Sequence, residues 1–563
     1  MFKAQSRENL IRHLEDPVGR NYLAIASLTF SLLAVPCYGQ VALDRVDPGR
    51  AEERVTNERE EIPTTSDPQI LETSTAFQTQ DDVFVGAIAI DGLHVMARGD
   101  FSDIVENYIG RTLSGSELTE LVERLANRVK AKFPLASVYV EPQKITAGVL
   151  QVTIDEGAID EVRIEGAQNR SVVAALSKLA SGQPVTAVDL ERSLLVAGDI
   201  DGVTLGNVRV MREENRNILV VNGTYERVGG SVTFGNDGSK PLGPLELYGH
   251  VRFNGLFAQD DTLQVFILDT VPEVEELVFG QVRYGKRVSR EGTEISATGS
   301  FSRSAPGAYL EPFNIRGESW TVSLGLLHPA VRRQNSSIWI RADASHRQIE
   351  QSRDGALARQ DRLTTVSAGI YGYSRLAGGW LRANAQIKQG LDLFDATQLG
   401  DPLSSRQDAD GTFTTATFDI GWRKNVVADL GINVAVRSQL ASQPLLISEE
   451  TGLGGANFVR GYDYSERTGD QALLAYGELN YSWDSLPGPL AELEFYGFVD
   501  GGKAYNLDEG FGGGSLFSSG GGFRADIGKS LTGGLEVAVP LSGVRYDTGD
   551  SSARVRFQVS QSF

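Results

Sequence analysis

The run Phe458-Val459-Arg460-Gly461-Tyr462 sets a guanidinium among apolar and aromatic neighbours, shortly after the glycine-rich Gly452-Leu453-Gly454-Gly455. The chemistry open to it is charge pairing, because arginine presents a rigid fork of N–H donors that matches a carboxylate. Exposed hairpin loops usually carry small polar turn residues instead. These residues alone leave two readings: a surface turn with one solvated arginine, or a loop folded back so that the arginine reaches a buried carboxylate. The histidines offer less. His13 falls in the N-terminal leader, and His94, His250, His328 and His346 show no H-E-x-x-H spacing for a metal. No G-x-S-x-G elbow stands in a strand-to-helix context, and no G-x-x-x-x-G-K-[ST] phosphate loop is present. We expect no catalytic residue, no metal and no cofactor.

Composition narrows the classes further. A chain of 563 residues is too long for one ordinary domain. Its formal charge of −20 argues against nucleic acid, whose phosphates demand a basic face. With Cys37 as the single cysteine, neither a disulfide framework nor a thiolate metal site can form within the chain.

Residues 1–39 read as a secretory signal peptide. The apolar stretch Tyr22–Val35 follows Lys3, Arg7, Arg12 and Arg20, is too short to span a bilayer, and ends at Cys37-Tyr38-Gly39, with small residues where a signal peptidase reads. Residues 40–82 are polar and charge-dense. Asp47-Pro48 suits a helix start, and Gly49–Glu61 can run as a helix until Pro63 stops it. That helix has almost no apolar face, so it belongs in water or in a polar cavity. Pro63–Asp82 reads as a flexible linker.

Residues 83–157 and 158–227 repeat one pattern. Gly110-Arg-Thr-Leu-Ser-Gly-Ser-Glu-Leu118 matches Gly182-Gln-Pro-Val-Thr-Ala-Val-Asp-Leu190, and Ser114/Glu117 and Thr186/Asp189 both have capping-box spacing. The capped helices are expected over Gly115–Lys132 and Ala187–Ala197. Each copy reads strand, helix, helix, strand, strand: an α+β module with a three-stranded sheet backed by two helices.

From about Gly229 the pattern changes to alternation with a period of two. Leu245, Leu247, Gly249, Val251 and Phe253 share a face, as do Ala416, Phe418, Ile420 and Trp422, with polar residues such as Glu246, His250 and Arg252 between. A β-sandwich shows the same period. The length of the tract, the signal peptide and the missing transmembrane helix favour a transmembrane β-barrel over residues 228–563, of about 16 antiparallel strands. Val555, Phe557, Val559, Gln561 and Phe563 lie on one face of a final strand that ends on an aromatic. This is similar to the C-terminal signal, here Phe557, Val559 and Phe563, that outer-membrane barrels present to their assembly machinery.

The two modules resemble POTRA domains, and the whole layout resembles the TpsB family of two-partner secretion transporters, of the haemolysin secretion/activation type. The resemblance covers nearly all of the mature chain and includes a VRGY-type loop at Val459-Arg460-Gly461-Tyr462. It implies that this loop enters the barrel lumen, anchored by Arg460, Gly461 and Tyr462. Its arginine would pair with an aspartate of an F-x-D-G-type strand motif, here Asp500 in Phe498-Val499-Asp500-Gly501. It also implies an N-terminal plug helix, matched by Pro48–Glu61. The expected location is the outer membrane of a Gram-negative bacterium with the POTRA-like modules in the periplasm. The expected partners are the lipid bilayer and a secreted exoprotein, adhesin- or haemolysin-like, with an N-terminal secretion domain. The alternatives are an insertase of the same superfamily that folds other barrels, a plain porin, and a barrel enzyme.

Overall fold

The computed structural model describes residues 69–70 and 82–563, apart from 142, 144, 146, 147, 167, 168, 214, 215, 484, 485, 487 and 509. The expected signal peptide, the polar helix at 48–61 and most of the linker lie outside the described residues.

In the first module, Leu118, Leu121, Leu125 and Val129 recur at helical spacing along Gly115–Lys130 and are fully buried on one face. They pack on Leu150, Val152 and Ile154 of the strand Val149–Asp155. That strand is central, with Ala87–Asp91 parallel on one side and Ser137–Tyr139 antiparallel on the other. The extended stretch is interrupted at Gly86, so that Val83–Val85 pairs with Arg111–Leu113 while Ala87–Asp91 joins the main sheet. The capping box is complete: the Glu117 amide donates to Ser114 Oγ at 3.4 Å and the Ser114 amide to Glu117 Oε2 at 2.9 Å. The Ser114 amide holds the Glu117 carboxyl below its usual range. Ser114→Ala should weaken this helix start by about 1 kcal/mol. Hydrogen exchange at residues 115–117 of the intact chain should quicken; unchanged exchange would show the cap to be idle.

The second module repeats the plan with two departures. Thr186 Oγ1 caps Ala187–Gly198 by accepting the Asp189 amide at 3.1 Å, but the Asp189 carboxylate meets the Thr186 hydroxyl rather than closing a box. Aspartate is one methylene shorter than the glutamate a box needs. The sheet also has four strands where three were expected. Gln69–Ile70, assigned from sequence to the flexible linker, pairs parallel to Val203–Glu213 opposite Arg209 and Val210. A two-residue strand has no periodicity to betray it.

Residues 228–562 form a closed antiparallel barrel of sixteen strands. Alternation sets its faces. Leu247, Ile267, Phe418, Ile420, Val434 and Val436 are exposed on the outside, whereas Gln281, Thr321, Glu478 and Asp500 are buried inside. An apolar exterior over a polar interior is the arrangement a bilayer selects. The seam closes where Ser231–Gly235 pairs with Gln558–Ser562. Phe563 extends it, exchanging two main-chain hydrogen bonds with Gly230 at 3.0 Å each. Phe557 meets Phe234 across the seam at 5.6 Å between ring centroids, and Val559 stands opposite Phe234 in register.

The second module is fastened to the periplasmic end of the barrel. Arg332, with a side chain fully shielded from solvent, reaches Asp199 through Nε and Nη2 at 2.7 and 2.6 Å, and Ser337 and Tyr373 through Nη1 at 3.0 and 2.9 Å. Thr262 donates to Asp201 at 2.7 Å, Arg287 to the Val196 carbonyl at 2.6 Å, and Arg192 to the Pro329 carbonyl at 2.9 Å.

Candidate functional site

The loop between strands Leu430–Ala441 and Gln471–Trp483 folds back into the barrel. Gly454 and Gly455 take φ of +104° and +114°, conformations that side chains resist, and start the return of the chain. Val459, β-branched and fully buried, also has positive φ, at +56°. Such a residue is a strained outlier that surrounding packing must hold in place.

That strain presents Arg460 to the wall. Its main-chain N–H and Nε donate to Asp500 Oδ2 at 3.0 and 3.2 Å, and Nη1 donates to Glu478 at 2.8 Å and to Glu536 at 3.3 Å. The guanidinium lies 3.3 Å from the centroid of the Phe498 ring, a close cation–π contact. Arginine and all three carboxylates are buried. Buried charges are tolerated only when paired and hydrogen-bonded, and the pairing extends outward. Arg524 meets Glu478 and Glu494 at 3.1 and 2.5 Å, and Arg556 approaches Glu536 and Asp237 at 3.6 and 3.5 Å.

The flanking residues complete the seat. The Gly461 amide donates to Ser518 Oγ at 3.0 Å, and the Ser518 hydroxyl donates to Asp500. A β-carbon on Gly461 would come within 2.7 Å of the Ser518 side chain and 3.0 Å of the Pro540 nitrogen, so only glycine fits. Tyr462 is fully buried, and its hydroxyl donates to the Ser542 carbonyl. Arg554 of the last strand donates to the Tyr462 carbonyl at 2.9 Å, and Asp463 pairs with Arg545 at 2.7 Å. Nearer the extracellular end, buried Arg406 joins Asp408, Glu450 and Asp470.

Below the loop tip lies a cavity of about 1760 Å³. Arg252 and Arg341 stand on its wall, and Asp199, Val203, Thr204 and Leu205 of the second module line its periplasmic side.

The structure thus brings Arg460, Gly461, Tyr462 and Asp500 together, and sets Phe557, Val559 and Phe563 at the outer face of the seam. Sequence reasoning missed Glu478, Glu536, Ser518, Arg524 and Arg554. They are spread over four strands, with Ser518 and Arg524 sharing one, and their signal in the sequence is a charged or polar residue at an inward position. Among the described residues no cluster of histidine, cysteine and carboxylate side chains suits a metal. His250 stacks on Phe266, His328 meets Thr293, and His346 lies between Trp320 and Phe394.

Comparison with known proteins agrees with this architecture. Residues 215–525 match the family described as haemolysin secretion/activation protein ShlB/FhaC/HecB, and residues 83–157 match the ShlB-type POTRA domain. The chain is 21% identical over 401 residues to the heme/hemopexin transporter protein HuxB of Haemophilus influenzae, covering 68% of this chain and 69% of that one. It is 23% identical over 425 residues to the outer membrane transporter CdiB of Dickeya dadantii, covering 73% and 74%. In fold it is similar to CdiB from Escherichia coli, with a TM-score of 0.69, 20% identity, and 98% of this chain and 100% of that one covered.

Proposed function

The chain belongs to the haemolysin secretion/activation protein family, the outer-membrane transporters of two-partner secretion, and from that membership we propose that it takes one unfolded exoprotein from the periplasm through its POTRA-like modules and exports it through the barrel without nucleotide hydrolysis. It is an outer-membrane protein with periplasmic POTRA domains. The observation that carries the recognition step is the strand Val203–Glu213, whose outer edge takes up Gln69–Ile70 by main-chain pairing. An edge that accepts one extended segment accepts another with little demand on sequence, since main-chain hydrogen bonds supply the affinity. The exoprotein must displace Gln69–Ile70 to use that stretch.

Arg460, held by Asp500, Glu478 and Glu536, is the anchor that keeps the loop tip in the lumen at rest. Pro48–Glu61 serves as the resting plug. The parallel sense of Gln69–Ile70 supports this, because it turns the N-terminal side of that pair toward the barrel end of the strand. With no phosphate loop in the sequence, the directional drive is folding of the exoprotein outside. Its cargo is a secreted protein of the adhesin or haemolysin kind, and its own assembly uses the outer-membrane assembly machinery, addressed by Phe557, Val559 and Phe563.

Deleting residues 83–227 is expected to remove one protein from the culture medium while the barrel still inserts. Unchanged secretion would sink the docking step. Broad loss of outer-membrane proteins on depletion of the chain would point to an insertase instead.

A further inference from the structure

We propose that the outer wall of the barrel binds a phosphorylated glycolipid of the outer leaflet, the lipid A and inner-core portion of lipopolysaccharide, at Arg362 and the aromatic row beside it. The site needs only the outer-membrane location and is independent of export.

Strand length points to it first. A barrel strand crosses a bilayer with about 9–11 residues, yet Ile315–Arg332 and Ser336–Arg353 have 18 each and Ala356–Leu376 has 21. The register shows on which side the surplus lies. On the outer face, Ile338, Ile340 and Ala344 stand opposite Gly372, Ile370 and Val366, and these rows belong to the apolar band. Above Ala344, toward the end away from the modules, the outward pairs turn polar: His346 with Thr364, Gln348 with Arg362, Glu350 with Gln360. This wall therefore continues past the acyl chains into the layer where the sugars and phosphates of an outer-leaflet glycolipid stand. A phospholipid headgroup would end at the first of these rows.

The boundary row suits a phosphate. Phe301, Trp320, Gln348 and Arg362 stand side by side across four strands. The carboxylates of the next row are already occupied: Glu350 accepts from Gln348 and Gln360 at 2.7 and 2.6 Å, and Glu318 pairs with Arg303 at 2.7 Å. Arg362 has no ion pair among the described residues, and neither has Arg316, which faces outward four residues above Trp320 on the same strand. Such a guanidinium offers a planar pair of donors to a phosphate. Beside it, Trp320, His346 and Phe394 form one aromatic row, with ring centroids 5.3 and 5.6 Å apart. Phe394 belongs to an extracellular loop and is 74% exposed. Its chain is held over the outer wall by the Thr364 hydroxyl, which donates to the Leu393 carbonyl at 3.0 Å, and by the Thr397 amide, which donates to the Arg362 carbonyl at 3.0 Å. Aromatic rings at this depth sit at the headgroup level of a bilayer. An apolar shelf next to an unpaired cation matches a lipid whose phosphate lies directly above its acyl chains.

The full chain, purified in detergent, is incubated with deep-rough lipopolysaccharide, with the same glycolipid stripped of phosphate, and with phosphatidylglycerol. Retained lipid is counted by native mass spectrometry. The expected result is retention of the phosphorylated glycolipid by the native chain and about tenfold weaker retention by Arg362→Gln, for the loss of one charge-assisted contact. Phe394→Ala is expected to weaken it as well, whereas Arg124→Gln, on the first module, leaves it unchanged. Heat-modifiable migration reports whether each barrel is folded; should Arg362→Gln fail that check, Phe394→Ala, at an exposed side chain, carries the same test. Equal retention by the native chain and the folded wall variants would overturn the site. Equal retention of the phosphate-free glycolipid would overturn the phosphate contact. Equal retention of phosphatidylglycerol would overturn the glycolipid assignment and reduce the wall to an ordinary lipid belt.

Discussion

Arg460→Ala is expected to abolish export while leaving a folded barrel in the membrane. Breaking a buried ion pair by removing one partner costs about 3–5 kcal/mol, and here one guanidinium serves three carboxylates. The loss is uneven. Glu478 keeps Arg524, and Glu536 keeps Arg556 and the Tyr496 hydroxyl, whereas Asp500 keeps, among the described residues, the Ser518 hydroxyl and the main-chain N–H of residue 460. Destabilising the seated loop by that amount lowers its occupancy ratio roughly a hundred- to several-thousand-fold. Val459, strained and held by its surroundings, adds to the tendency to leave. The barrel survives because its main-chain ladders run strand to strand and owe nothing to the loop. Secreted exoprotein in the medium, measured beside heat-modifiable migration of the barrel, checks the prediction. Arg460→Lys should recover only part of the activity, since an ammonium cannot span Asp500 and Glu478 as the planar fork does. Wild-type export by the alanine variant would reduce the loop to a passive insertion.

The second large effect is expected at the junction of module and barrel. Asp199→Ala leaves the Arg332 guanidinium fully buried, with Ser337, Tyr373 and the Trp339 face as its remaining partners. Arg332→Ala leaves an aspartate whose side chain keeps 21% exposure and can turn to water. The aspartate variant should therefore be the worse of the two, by about 3–5 kcal/mol relative to the native pair. The expected result is lower export together with faster protease cleavage around residues 226–228, where the module joins the first strand. A double variant, Asp199→Ala with Arg332→Met, removes the stranded charge and should regain part of the lost rigidity. If Asp199→Ala matches the native chain in both measurements, the junction does not depend on this pair.

Much of this architecture was legible in the sequence because it is written in periodicity. Leu118, Leu121, Leu125 and Val129 announce a helix face, and Leu430, Ile432, Val434 and Val436 a strand face, since burial on one side imposes those spacings. Asp500 was reachable because a known motif frames it. Glu478, Glu536, Ser518 and Arg554 carry no such frame. They meet at the loop tip only because barrel curvature brings their strands around one point, and that curvature is not encoded by any short run of residues. Arg332 was silent for the same reason: its partner belongs to another module. Gln69–Ile70 was read as linker because pairing of two residues depends on a waiting edge, not on their own propensity.

The loop-tip seat also carries a statement about the order of folding. Arg460 lies 18 residues from Glu478, 40 from Asp500 and 76 from Glu536, whereas the seam joins Thr233 to Ser560 across 327 residues. The entropy lost on closing a loop rises with its length. Strands bearing Glu478, Asp500, Ser518 and Glu536 are consecutive hairpin neighbours, so they can gather around the arginine as a local unit before the ring is complete. The seated loop also meets the last strand, where Arg554 donates to the Tyr462 carbonyl. On this account the seat is a short-range contact that can form early, while closure of the ring rests on the main-chain ladder at the seam.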